Sequence, residues 1–427
     1  VPGADGAYRL TRLPSGARVI TAPMRERASV AIAVMFAVGS RYEDAERAGL
    51  AHFIEHMVFK GSRRYPTAKA ISEAIEGVGG VLNAATDKEA TLFWAKVPAA
   101  RFPLAADVLC DMVFRAGLDA AELAKERLVV IEELRMYMDN PQDYVHTLFD
   151  EVMWPDHPLG RDTAGSEETV RGFEREDCLR YLGEHYRADN VVISVAGAVE
   201  HDQACELLAP IVAAWGSGPA VEAPPAPPVL ASSPRLRLLN KRTEQANVVL
   251  GTPGISYLDE DRFAADMLNA VLGEGMSSRL FLHLREDRGL AYDVHSFTIK
   301  HHDTGALGVY LGCEPKRATQ AMEAAIAELH QLASSAVGPE ELAKAREYSK
   351  GRLLLQLEGT SSLCNYLGQQ ELLTGEILLP DEVVRRIDSV TAEDIMRVAQ
   401  RLLGGGLRAA VIGPFRAPER FEAQLAS

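Results

Sequence analysis

Cysteine is sparse in this 427-residue chain: five residues, at 110, 178, 205, 313 and 364, odd in number and never in CxxC spacing. That scatter excludes a disulfide framework and a thiolate metal site. Long apolar runs are missing too. No stretch of about 18 or more uncharged apolar residues occurs, so no membrane span is expected. Positive charge is in short supply, with 45 Lys and Arg against 60 Asp and Glu, a formal net charge of −15. No basic stripe offsets it, which argues against nucleic acid as a partner. The acidity serves solubility, with a slight lean towards basic substrates. The first residue is valine rather than methionine, and VPGADGAYRL has no basic-then-apolar signal region. Read as a processed terminus, it favours a soluble, periplasmic protein over a cytoplasmic one. The alanine- and arginine-rich, lysine-poor composition points to a high-GC bacterium.

What is present is an ordinary globular composition, 47% hydrophobic and 25% charged. The length exceeds one ordinary core, so two to four domains are expected. One low-complexity stretch, WGSGPAVEAPPAPPVLASSP at 215–234, has the composition of an extended, semi-rigid linker. It divides the chain into 1–215, a linker at 216–234, and 235–427.

The two parts echo each other. AVGSRYEDAERAGLAHFIEHMV follows an apolar strand at 30–36, and TPGISYLDEDRFAADMLNAVLG follows another at 246–250, placing Tyr42 opposite Tyr257. AELAKERLVVIEEL (121–134) matches EELAKAREYSKGRL (340–353), and each part closes on a strand, NVVISVAG or LRAAVIG. Interspersed strands and helices make each an α/β unit, so the fold expected is a duplicated α+β fold with helices packed on a mixed sheet. The polar residues do not repeat. Opposite His52, Glu55 and His56 stand Met267, Ala270 and Val271, and opposite Glu133 stands Arg352. The first part is chemically specialised.

LAHFIEHMVF reads as a helix ending near Gly61. His52 and His56, four apart, then share a face, with Glu55 beside them. Two neutral imidazoles on consecutive turns can bind one Zn²⁺ and leave the glutamate next to a bound water, the HxxEH pattern of metalloproteases. A third protein ligand is needed. DAAELAKERLVVIEELRMYM (119–138) supplies candidates on a helix begun by an Asp119/Glu122 capping box, and its LVVI run predicts substantial burial. Glu126 and Glu133 lie two turns apart on one face. Spacing leaves Glu132 open as the ligand, while the heptad relation to Glu126 favours Glu133; the remaining acid would orient a ligand histidine.

GLAHFIEHMVFKGSRRYPTAKAISEAIEGVGGVLNAATDKEATLFWAKV (49–97), HPLGRDTAGSEETV and YRADNVVISVAG resemble the M16 peptidases, the pitrilysin, insulin-degrading enzyme and mitochondrial processing peptidase group, above all the subunits of processing-peptidase type. The resemblance covers essentially the whole chain. It implies His52, His56 and Glu133 as ligands of one Zn²⁺ per catalytic subunit, Glu55 as general base and Glu126 as the supporting acid. SSRLFLHLREDRGLAYDV (277–294) is similar to a second signature of the family, implying Arg285 and Tyr292 as donors to the substrate carbonyl. The resemblance further implies that peptides bind along the edge of the sheet at GGVLNAATDKEATLFWAKV, where Asn83 and Ala84 contact the substrate backbone. The part at 1–215 becomes the zinc-binding catalytic domain, and 235–427 a homologous domain without metal ligands that carries the Arg/Tyr pair. Many relatives of this length work as pairs, and the resemblance implies that two chains close like a clam around a chamber. A homodimer, or a heterodimer with a second subunit of the same type, is therefore implied, acting as a zinc endopeptidase on short or unstructured peptides. The alternative is a non-catalytic or partner-dependent subunit of a heterodimeric peptidase.

Overall fold

A computed structural model describes residues 6–218, 222–226 and 235–425. It falls into two compact units, and much of the expected linker lies outside the described residues. Among the described residues no helix is long and apolar enough to cross a membrane.

The first unit is built on a six-stranded mixed sheet: β1 (Arg9–Arg12), β2 (Arg18–Pro23), β3 (Ser29–Phe36), β4 (Val81–Thr86), β5 (Thr91–Pro98) and β6 (Val191–Gly197). The strands run in the order β1-β2-β6-β3-β5-β4, with only β2 and β6 parallel. The central strand β3 reads SVAIAVMF and is buried from Val30 to Phe36. A near-continuous apolar run of this kind is what a strand covered on both faces requires. One face packs on helices Leu50–Val58 and Phe102–Phe114 through Val30, Ile32, Val34, Phe53, Met57 and Leu109. The other packs on helix Thr360–Leu373, where Cys364 and Leu367 meet Ala31, Ala33 and Met35. Ser194 Oγ donates to the Cys364 carbonyl (2.7 Å), and a side chain at Gly368 would collide with Met35 Sδ.

The second unit repeats the plan with five strands: β7 (Leu236–Asn240), β8 (Ala246–Pro253), β9 (Asp293–Lys300), β10 (Gly305–Cys313) and β11 (Arg408–Gly413), ordered β7-β11-β8-β10-β9. Only β7 and β11 are parallel. Its main core lies between the sheet and helices that include Arg262–Gly273 and Ala318–Ser334. The opposite face is covered by helix Pro141–Met153, whose Val145, Leu148 and Phe149 pack on Val249, Tyr310 and Ala410. Two mixed sheets with helices on their faces are the duplicated α+β fold expected.

The compact units are not the contiguous parts marked by the linker. The first comprises Val1–Leu134, Asp162–Pro224 and Leu354–Leu379, and the second Arg135–Arg161, Pro225–Leu353 and Pro380–Ser427. The physical reason lies in the sheets. Each has two apolar faces to bury, and the helix on the second face comes from the other part of the sequence.

Candidate metal centre

The histidine helix, Leu50–Val58, begins at Gly49, whose φ of 96° is left-handed. A Cβ there would lie 2.3 Å from the Ala164 carbonyl oxygen, so both conformation and space call for glycine. Glycine brings no capping side chain. The buried Glu43 supplies the cap instead, accepting from the Gly49 N–H (2.7 Å) and the Ala51 N–H (2.6 Å). A carboxylate is well placed at the positive end of a helix. Leu50, Ala51, Phe53, Ile54, Met57 and Val58 are buried, which leaves His52, Glu55 and His56 on the half-buried remaining face.

The second long helix, Ala120–Asp139, starts at Asp119, whose carboxylate accepts from the Ala121 (2.8 Å) and Glu122 (3.1 Å) N–H groups. Glu122 pairs with Lys125 (2.5 Å). The LVVI run corrects the expectation of burial: Val130 and Ile131 are buried, but Leu128 and Val129 are exposed. Neighbouring residues on a helix point about 100° apart, so four in a row cannot all face one core.

The two helices bring His52, His56 and Glu133 together, with one ligand atom from each within 4.8 Å of the others. Glu133 Oε2 lies 3.8 Å from His52 Nε2 and 3.4 Å from His56 Nε2. Ligand atoms at zinc-like bond lengths of about 2.0–2.1 Å stand about 3.3 Å apart in a tetrahedron, so this donor set fits such an ion with small adjustment. Glu132 is exposed, and Glu133 is the half-buried member of the pair. Glu126 is buried; His56 Nδ1 donates to its Oε1 (2.8 Å) and Lys60 Nζ to its Oε2 (2.6 Å). This bond fixes the ring of His56 with Nε2 turned to Glu133. His52 Nδ1 is buried without a partner. Glu55 Oε2 accepts from Thr86 Oγ1 (2.6 Å).

Burial and the neighbouring carboxylates push the two imidazoles in opposite directions. Burial, helped by His56, pushes the pKa of His52 down to about 4, against the pull of Glu133, keeping it the neutral ring that a metal ligand must be. Burial also opposes charge on His56, but its bonds to Glu126 and Glu133 prevail and hold its pKa up at about 9. Its bond to His56 lowers the carboxyl pKa of Glu133; burial works against ionisation of Glu126 too, but its bonds to His56 and Lys60 win. Without a metal, one proton on His56 supplies the positive charge between two carboxylates. Glu55 is raised, chiefly by burial and despite the Thr86 bond, the direction that suits a proton acceptor.

Asn83 and Ala84 lie on β4, the edge of the first sheet. Asn83 is exposed and its Oδ1 accepts from the Ala84 N–H (2.8 Å), while Ala84 is half-buried against the core. In the second unit, residues Phe281–Asp287 wind as a π-helix, a widened turn frequent at functional sites. Arg285 is thereby set beside both rings that flank it, with its guanidinium 4.7 Å from the centre of Phe281 and 5.1 Å from that of Tyr292. Tyr292 is 72% exposed. The structure thus gathers five of the first-part residues, His52, Glu55, His56, Glu126 and Glu133, at one place and pairs Arg285 with Tyr292. Sequence reading missed Glu43, Lys60 and Thr86. Lys60, four residues after His56, was the one findable signal, as a cation one turn beyond a candidate ligand.

Two imidazoles and a carboxylate on paired helices, with a second carboxylate alongside, make up the kind of donor set that holds a catalytic metal. The family model described as Insulinase (Peptidase family M16) matches residues 18–167, and the one described as Peptidase M16 inactive domain matches 172–348. An uncharacterized zinc protease of Streptomyces coelicolor is 37% identical over 419 residues, covering 96% of this chain and 90% of its own length. One from Bacillus subtilis is 36% identical over 402 residues, covering 94% and 97%. In fold, the crystal structure of a protease from Helicobacter pylori superposes with a TM-score of 0.89 at 22% identity, covering 95% of this chain and 99% of that one. The chain belongs to peptidase family M16.

Proposed function

We propose that the protein is a zinc-dependent endopeptidase acting on short or unstructured peptides. The observation that carries this reading is the convergence of His52, His56 and Glu133 with Glu55 alongside. The relatives from Streptomyces coelicolor and Bacillus subtilis are called zinc proteases, which supports zinc as the metal. His52, His56 and Glu133 would hold one Zn²⁺ per catalytic subunit. When bound, zinc polarises the scissile carbonyl and lowers the pKa of its water.

The chain's own groups do the rest. Glu55 takes the proton of the attacking water and delivers it to the leaving amine. Glu126, held by Lys60, keeps His56 in the tautomer that leaves Nε2 free. Arg285 and Tyr292 act as donors to the carbonyl oxygen as negative charge builds on it, a role supported by the family signature and by their contact. The substrate adds a strand to β4 by backbone pairing, with Asn83 and Ala84 in contact, so that affinity depends little on side-chain identity. Two chains close as a clam-like dimer around the chamber in which this occurs.

The test is cleavage of a quenched, unstructured peptide by the purified chain alone, with and without chelator. Chelator-sensitive cleavage is expected. Cleavage only after addition of a second M16 subunit would favour a partner-dependent member of a heterodimer. Chelator-resistant cleavage would overturn the zinc assignment.

A further inference from the structure

The histidine helix and the edge strand are linked through one polar contact, from Thr86 Oγ1 to Glu55 Oε2 (2.6 Å). Thr86 is the last residue of β4, where exposure alternates: Val81, Asn83 and Ala85 face outward, while Leu82, Ala84 and Thr86 are half-buried on the other side. Its place is firmly set. Thr86 pairs in register with Thr91, which is fully buried and whose Oγ1 donates to the Val38 carbonyl (2.8 Å). The turn between them is closed by the Asp87 N–H donating to the Ala90 carbonyl (2.8 Å). The hydroxyl that Glu55 meets is therefore carried by the sheet.

A glutamate on a helix face has three rotors, and holding them in one arrangement costs conformational entropy. A charge-assisted hydrogen bond to one carboxylate oxygen offsets that cost and leaves the other oxygen free. We propose that Thr86 is a positioning residue for peptide hydrolysis: its hydroxyl holds Glu55 Oε2 so that Oε1 is presented to the attacking water. Because Thr86 belongs to β4, the orientation of the base is tied to the strand on which the peptide lies. The inference rests on the reading of Glu55 as general base.

Thr86→Val and Thr86→Ser separate the hydroxyl from the shape. Valine keeps the β-branched outline and strand preference but has no donor, whereas serine keeps the donor and loses the branch. With an unstructured quenched peptide and the zinc-loaded protein, Thr86→Val should lower kcat about ten- to a hundredfold, the worth of a hydrogen bond to a charged group. KM and bound zinc should be unchanged, and Thr86→Ser should recover most of the lost kcat. Full kcat in Thr86→Val overturns the proposal, as does a Thr86→Ser variant no better than it, or a loss confined to KM or to zinc content. Glu55→Gln, assayed in parallel, distinguishes the two levels. An inactive Glu55→Gln beside a fully active Thr86→Val removes only the role of Thr86, and an active Glu55→Gln removes the base assignment with it.

Discussion

The same pair of helices occurs in both units with opposite chemistry. In the first, Leu50–Val58 lies beside Ala120–Asp139 and carries half-buried His52, Glu55 and His56. In the second, Arg262–Gly273 lies beside Pro339–Gln356, where Ser349 Oγ approaches Met267 Sδ at 3.7 Å. Met267, Ala270 and Val271, the counterparts of the two histidines and Glu55, are all buried. Arg352, the counterpart of Glu133, is exposed. The helix pair is therefore a packing solution that stands without ligands. The candidate metal centre is an addition to it, and Glu126, Lys60 and Thr86 make the hydrogen bonds around its histidines and Glu55.

The strongest way to break this contrast is to write the second helix into the first. The triple variant His52→Met/Glu55→Ala/His56→Val should lose all zinc and all peptidase activity. Its metal-free melting temperature should stay level or rise, since three half-buried polar groups are replaced by apolar ones. A collapse in metal-free stability would show that the polar set is part of the scaffold. Glu55→Gln comes next, with turnover down by about 10²–10⁴-fold, the usual share of a general base, and zinc content intact by metal analysis. Glu133→Gln should weaken zinc retention far more than Glu132→Gln in a chelator-competition series, and the reverse order would reassign the ligand. Lys60→Met should weaken zinc binding by about ten- to a hundredfold, as loss of supporting contacts around a metal typically does.

The smallest effect is one of pH, in the chelated protein. The raised pKa of His56, about 9, means that the folded state holds a proton more tightly than the unfolded chain, whose histidines titrate near 6.5. That contribution is complete below about pH 6.5 and is lost as pH rises through about 9. The lowered pKa of His52, about 4, acts oppositely, its contribution fading as pH falls below about 6.5. Metal-free denaturation midpoints should thus fall between pH 6.5 and 9. His56→Val, which copies the second unit, should flatten that fall. An unchanged slope in the variant would exclude His56 as its source.

Much of this was legible in the linear order of residues. The internal echo pointed to two sheets because strands and helices recur in the same sequence, and His52, Glu55 and His56 declared themselves because helical periodicity places them on one face. Spacing alone could not separate Glu132 from Glu133, because that choice depends on which way the helix turns towards the histidines. Glu43 and Thr86 were invisible for a related reason. Each acts on the histidine helix across a fold in the chain, Glu43 from outside the usual capping position and Thr86 from a strand 31 residues after Glu55. The exchange of helices between the two parts escaped notice because an amphipathic pattern says that a face must be covered, and nothing about what covers it.

That exchange has a consequence for how the protein is made. The first sheet is complete once β6 has been synthesised, yet the helix that lies on Ile20, Ala31, Met35 and Val192 is encoded at 360–373. At about 5–20 residues per second, ribosomes take roughly 10–30 s to cover that distance. Through that interval an apolar sheet face waits in the cell without its lid. A nascent chain of this kind is a natural client for chaperones, and its amino-terminal half, expressed alone, is an aggregation hazard rather than a miniature enzyme.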